Sequence, residues 1–207
     1  MNRPTTMQVS VSNKINAGVS KPRVRDRIMQ TARDLFYRRG IRAVGVDTIA
    51  CEAGTNKMSF YRCFGSKDAL VAEYLRGQES EAWNWWDSTI AAHAGNPRAQ
   101  LESLFDAQLN KTCKLDSRGC ALANAAVEIS DPAHPARAVV EGFKAEMRRR
   151  FRALAREAGA HDPDSLGDSL MLLWEGSYLA RLTFKDSHSP AENAAKAART
   201  LISAYVS

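Results

Sequence analysis

AGTNKMSFYRCFGSKDAL, residues 53–70, contains two helix starts in quick succession. Asn56 suits an N-cap, because its short side chain accepts a hydrogen bond from the first turn that follows. The spacing predicts a helix over residues 57–63. Phe60 and Phe64 are four apart and share its inward face. Lys57, Met58, Tyr61 and Arg62 are left to face outward. Gly65 and Ser66 end this helix and cap the next, which starts at Lys67 and runs towards Ala92. A cation in a first turn opposes the helix dipole, so Lys67 does not serve the helix itself. A helix N-terminus and a lysine together attract an anion such as a phosphate.

Working outward, Val46, Ile49, Ala50 and Ala53 recur at i, i+3, i+4 and i+7. They predict a second short helix over residues 46–52, ended by Gly54. Further upstream, Val24, Ile28, Ala32, Leu35 and Phe36 form one apolar stripe of a helix over residues 22–39. Pro22 suits its first turn, Arg38 and Arg39 its last, and Gly40 its end. Two short helices joined at Gly54-Thr55 have the layout of a helix-turn-helix. They cannot bury a core alone, and the first helix supplies the missing wall. The outward face of the 57–63 helix is then free to enter a DNA major groove. There Lys57 and Arg62 meet phosphates or guanine edges, and the Tyr61 hydroxyl suits a phosphate oxygen.

Charge agrees with this reading. Residues 1–75 hold 13 lysines and arginines against 6 acidic residues, whereas residues 76–207 hold 16 against 17. The whole net charge of +6 therefore comes from the first third of the chain. A basic end on a neutral body points to a local polyanion contact.

The stretch GIRAVGVDTIACEAGTNKMSFYRCFGSKDALVAEYL resembles the DNA-binding domain of the TetR/AcrR family of bacterial transcriptional regulators. The matching features are Gly40, Ile49-Ala50, Ala53-Gly54, Lys57, the Tyr61-x-x-Phe64 pair and Ser66-Lys67, within about residues 22–75. The resemblance implies a recognition helix at residues 57–63 and a linking helix from Lys67. It also implies a larger domain that binds a small effector and dimerises through its last two helices. Candidate DNA contacts are Gly45, Thr48, Thr55, Asn56, Lys57, Met58, Ser59, Tyr61, Arg62 and Lys67. Departures from the family pattern are Val44-Gly45 in place of a capping Ser/Thr, Met58 for a small residue, Cys63 for histidine and Asn56 for serine. The segment RGCALANAAVEISDPAHPAR resembles one found in some members, with no function attached to it.

The rest of the chain reads as further helices, giving an all-α protein of about nine helices. Residues 1–21 form a tail, 22–75 a helix-turn-helix domain, and 76–207 an effector-binding and dimerisation domain. The later helices are expected at 97–111, 119–129, 135–158, 164–184 and 190–206. Each break carries Gly, Pro, Asp or Ser. The expected dimer residues are Leu170, Leu173, Gly176, Ala180, Ala194, Ala198, Leu201 and Ile202 on the last two helices, making a two-fold four-helix interface. The expected effector pocket is lined by Trp83, Trp86, Phe105, Leu109, Phe143, Met147, Trp174 and Tyr178. No charge cluster accompanies them, so a small apolar or aromatic effector is expected, with Trp85 more exposed than its neighbours. In EMRRRFRALAR, residues 146–156, Met147, Phe151 and Leu154 face inward and the arginines form a solvated outer face.

Other classes fit less well. None of His93, His134, His161 and His188 sits in H-E-x-x-H, and no G-x-S-x-G, P-loop or G-x-G-x-x-G occurs, so no catalysis and no cofactor are expected. A protein–protein adaptor would leave the shared surface of Lys57, Tyr61, Arg62 and Lys67 unexplained. Cys51, Cys63, Cys113 and Cys120 show no paired spacing and read as reduced thiols, with no metal expected at Cys113 and Cys120. With no secretory signal and no unbroken apolar span, a cytoplasmic protein free of the membrane is expected.

Overall fold

The computed structural model describes residues 22–112, 118–184 and 189–206. The tail expected over residues 1–21, together with Cys113 and His188, lies outside the described residues. The described residues contain no strand. Their helices are α1 (Val24–Arg39), α2 (Val46–Glu52), α3 (Lys57–Phe64), α4 (Lys67–Ala91), α5 (Pro97–Thr112), α6 (Ala121–Glu128), α7 (Pro135–Glu157), α8 (Pro163–Thr183) and α9 (Ala194–Tyr205). The helix expected at 190–206 opens with a 3-10 turn, Pro190–Asn193, capped by the Ser189 hydroxyl. The helix expected at 119–129 starts later, because Cys120 holds an extended N-cap conformation.

The first three helices form one small packed unit. Ile28, Ala32, Leu35 and Phe36 of α1 are buried with Ile49 and Ala50 of α2 and Phe60 and Phe64 of α3. Burying a ring such as Phe60 contributes about 1.5–3 kcal/mol. Arg27 of α1 fixes the turn between the two short helices. Its Nε donates to the Ala53 carbonyl at 3.1 Å and its Nη2 to the Gly54 carbonyl at 3.2 Å. These bonds occupy carbonyls that the end of α2 leaves without helical partners.

Helix α4 leaves this unit and enters the larger body. Leu70, Val71, Ala72, Tyr74 and Leu75 are buried in its first half and Trp86 in its second. Arg25 pairs with Glu73 at 2.6 Å and Arg33 with Glu81 at 2.6 Å, so α1 grips α4 at two places three turns apart or less. In the body, α7 packs along α8. At Gly167 they approach so closely that a Cβ would lie 2.7 Å from the Arg152 backbone nitrogen. Only a residue without a side chain fits there.

The arginines of α7 are paired. Arg148 and Arg152 both bind Asp168, Arg152 and Arg156 reach Asp164, and Arg149 and Arg150 share Glu146. The outer face expected for them is thus solvated and also charge-balanced.

Candidate DNA-binding surface and effector pocket

Helix α3 is held at both ends by its own sequence. The Asn56 side chain accepts from the Ser59 backbone N–H at 2.9 Å, and Ser66 accepts from Ala69 N–H at 3.0 Å to start α4. Asn56 is therefore committed to its cap. Between the caps, Phe60 is fully buried, while Met58 is 78% and Tyr61 42% exposed. The Phe60 ring meets the Tyr61 ring edge-on at 5.4 Å, which orients the tyrosine. Lys57 and Arg62 are exposed on the same short helix, whereas Ser59 is half-buried.

The neighbouring helices add to this surface. Lys57 Nζ lies 3.1 Å from the Asp47 carboxylate, which ties the first turn of α3 to the first turn of α2. Both partners are largely exposed, so the pair is weak and open to exchange. Gly45 is the N-cap of α2 and gives no side-chain cap, as its departure from Ser/Thr implies. Thr48 and Thr55 are half-buried. Lys67 is half-buried at the start of α4, and desolvation pulls its pKa below the ordinary lysine value.

Sequence reasoning missed Arg25 and Arg27, which had been counted only as positive charge. Arg25 lies over the Phe64 ring at 4.7 Å, so the back of α3 is clamped as well as its ends. Basic residues in the first turn of the first helix, between Val24 and Ile28 of its apolar stripe, are the signal that was available.

In the larger body, Trp83, Trp86, Phe143, Met147, Trp174 and Tyr178 surround one small cavity, together with Ala82, Trp85 and Cys120. Phe105 stands behind this wall, meeting Trp174 edge-on at 5.4 Å, and it and Leu109 are not part of the lining. Trp85 is half-buried and Trp86 buried, and the Trp85 ring lies 5.8 Å from that of Trp174 on α8. The cavity is about 40 Å³. Ligand sites usually need several hundred Å³, so an effector enters only if these rings move. The polar groups at its edge are neutral: burial pushes the Cys120 thiol and the Tyr178 hydroxyl well above their usual pKa values. Among the described residues no group of three or more His, Cys, Asp or Glu side chains is placed to hold a metal ion.

The last two helices divide the expected dimer residues. Leu170, Ala194, Ala198 and Ile202 are buried inside the subunit, so they have no surface to offer a second chain. Leu173, Ala180 and Leu201 are half-buried, and Gly176 is exposed. The open apolar face of α8 is instead made by Leu172 and Leu179, 74% and 66% exposed, with Gly176 between them.

A three-helix unit presenting a short, doubly capped helix, joined by a long helix to a larger helical body, is the build of a helix-turn-helix DNA-binding regulator. Residues 28–74 match the sequence profile of the bacterial regulatory proteins of the tetR family. Residues 28–74 thus carry the DNA-binding domain of that family, and the chain is a DNA-binding transcriptional regulator. It is 27% identical over 174 residues to the HTH-type transcriptional repressor DhaR of a Mycobacterium species, covering 81% of this chain and 86% of DhaR. A tetR transcriptional regulator from Streptomyces avermitilis has the same fold, with a TM-score of 0.76 and 28% identity over 89% of this chain and 98% of that one. The reduced form of Escherichia coli NemR shares the fold with a TM-score of 0.75 at 20% identity, covering 86% of this chain and 95% of NemR. Among the described residues no helix is long and apolar enough to cross a membrane.

Proposed function

We propose that this regulator is a ligand-responsive repressor that binds a palindromic operator as a homodimer, without catalytic activity, in the cytoplasm. The observation that carries the reading is the face of α3. An exposed methionine, tyrosine, lysine and arginine stand on a helix whose opposite side and both ends are fixed, so the face is presented rigidly. Gly45, Thr48, Thr55, Asn56, Lys57, Met58, Ser59, Tyr61, Arg62 and Lys67 are its DNA-contacting set, with Asn56 and Ser59 acting mainly through the cap. Repression follows the relatives, DhaR and NemR, which carry that description.

Residues 76–207 form the effector and dimer domain on this reading. The exposed Leu172, Gly176 and Leu179 face of α8 is the seam between subunits, with the half-buried Leu173, Ala180 and Leu201 at its margins. A two-fold seam sets the two copies of α3 about one DNA turn apart, roughly 34–36 Å. The effector is a small, uncharged apolar or aromatic compound that displaces the rings around the cavity.

The test is a mobility shift with purified protein and its own upstream intergenic region, with competitor DNA, followed by selection from random DNA. Tyr61→Phe combined with Lys67→Ala is expected to abolish specific binding and to leave the far-UV circular dichroism unchanged. Specific binding that survives the double substitution would overturn the site assignment.

A further inference from the structure

Glu175 of α8 and Lys144 of α7 form an ion pair at 2.5 Å where the two helices meet. Lys144 Nζ donates to Glu175 Oε2. The other oxygen, Oε1, is closed to solvent and has no hydrogen-bond donor. A buried carboxylate oxygen left in this state is costly, and a charged acceptor bonds strongly to any donor that reaches it.

The two residues flank the aromatic cavity. Glu175 follows Trp174 and stands one turn before Tyr178, and both of those rings line the cavity. Lys144 stands likewise between Phe143 and Met147 of the lining. Cys120 closes the same corner from the start of α6. Burial chiefly raises the pKa values of Cys120 and Tyr178, and the charge of Glu175 raises both further, so its carboxylate lies close to two walls. Gln108 is engaged already: it bonds the Tyr178 hydroxyl and donates to the Trp174 carbonyl at 3.2 Å. The cavity is thus a box of rings with an unmet acceptor beside it.

We propose that the effector is a small uncharged phenol, whose ring lies among the tryptophans and whose hydroxyl donates to Glu175 Oε1. This rests on the effector reading above. A phenol puts a strong donor on a flat apolar body, which suits both features of the site. Lys144 already balances the carboxylate, so no excess negative charge is left to draw a cation. An anionic aromatic would set its charge against the oxygen that needs a donor. An aromatic of the same shape without a donor leaves Oε1 unpaired, and a site built to hydrogen-bond a hydroxyl rejects the analogue that lacks it. Glu175 is therefore the specificity-determining residue.

The experiment uses four probes built on toluene: p-cresol, a donor; p-fluorotoluene, without one; p-tolunitrile, an acceptor; and p-toluate, an anion. All four tryptophans, Trp83, Trp85, Trp86 and Trp174, line the cavity, so their emission reports its occupation. Full-length wild type and Glu175→Gln are titrated with each probe. In the variant Lys144 keeps the amide oxygen, and the amide NH2 takes the place of Oε1. An acceptor becomes a donor with little change of shape. Wild type is expected to bind p-cresol about tenfold or more tightly than p-fluorotoluene, the equivalent of one hydrogen bond to a charged group. Glu175→Gln is expected to lose that preference and to favour p-tolunitrile instead. In a mobility shift, p-cresol is expected to release wild type from an operator selected from random DNA.

Equal binding of p-cresol and p-fluorotoluene by wild type would overturn the inference. So would the same ranking in both proteins, strongest binding of p-toluate, or p-cresol that fills the cavity and leaves the operator bound. An emission unmoved by every probe would overturn the cavity as the effector site and this inference with it, and the wild-type titrations alone separate that result from the others.

Discussion

Gly40→Ala tests the junction between the two halves most directly. Gly40 holds φ 88° and ψ 156°, a region almost closed to residues with a Cβ. Forcing alanine into it costs about 1–3 kcal/mol. The new Cβ also meets Glu128 Oε2 at 3.0 Å and Oε1 at 3.1 Å, so the carboxylate must shift by about a few tenths of an ångström. That shift weakens its bonds from the N–H groups of Ile41 and Arg42, and a hydrogen bond to a charged group is worth about 1.5–3 kcal/mol. Together the two effects predict a loss of about 3–5 kcal/mol. In a chain of this length each kcal/mol lowers Tm by roughly 2–4 °C, so Tm should fall by about 10 °C. The assay is urea unfolding at 25 °C followed by circular dichroism, for Gly40→Ala, Glu128→Ala and the double variant. Where Glu128 is already absent, Gly40→Ala has no carboxylate to displace and costs only the backbone strain. The double variant should therefore fall short of the sum of the singles by about 2 kcal/mol, well outside the few tenths expected of independent sites. Additivity within about 0.5 kcal/mol would refute the claimed contact.

Leu172→Asp with Leu179→Asp is expected to give a folded monomer by sedimentation, with operator affinity much reduced; an unchanged sedimentation coefficient would remove α8 from the dimer seam. Log affinity for operator should fall with log salt by about 0.9 per neutralised phosphate, and Lys67→Ala should flatten the slope by about 1 per subunit, read from mobility shifts at several salt concentrations. Hydrogen bonds from Arg149, then Arg150, hold the Glu146 carboxyl at a pKa of about 2. A folded-state pKa below the unfolded value contributes stability at pH above about 4.5 that is lost as pH falls through 2; thermal melts of Glu146→Gln should show a weaker decline over that window than wild type. Gly167→Ala places a Cβ 2.7 Å from the Arg152 backbone nitrogen and should lower stability by about 1–3 kcal/mol in urea unfolding, because helix backbone cannot yield as a side chain can.

The helix-turn-helix was legible because its signals are local. Asn56 and Ser66 are caps that act three residues ahead, and Phe60 and Phe64 state which face is inside. The bounds of α3 follow from those residues to within one position, and those of α2 from Val46, Ile49, Ala50, Ala53 and Gly54. What escaped notice depends on distance along the chain. Glu128 and Ile41 are 87 residues apart, and nothing near either one names the other. The faces of α8 were ambiguous for a different reason. The helix is apolar on more than one side, with Leu166, Leu170 and Trp174 buried and Leu172 and Leu179 exposed. Periodicity finds an apolar stripe but does not say which of two stripes meets the subunit's own core. WNWW likewise puts rings on several sides of α4, and how far each is covered depends on partners such as Trp174 of α8.

The two arginine-rich parts of the chain show why composition alone would mislead. By count, α7 is as basic as the region around α3, yet its charges are spent locally on Glu146, Asp164, Asp168 and Asp87. Several of these pairs are bidentate or shared between two arginines, which holds the side chains in place. Little field escapes from such a surface. Around α3 the balance is different. Lys57 has one exposed carboxylate, Asp47, at 3.1 Å, and exposed pairs of this kind are worth little. A phosphate brought to the same place offers more charge and releases counterions, so it displaces Asp47 at small cost. The exposed Lys57 and Arg62 are therefore available at the surface, and the arginines of α7 are not. On the proposed reading, that difference, set by where the carboxylates lie and not by how many bases there are, directs a polyanion to α3.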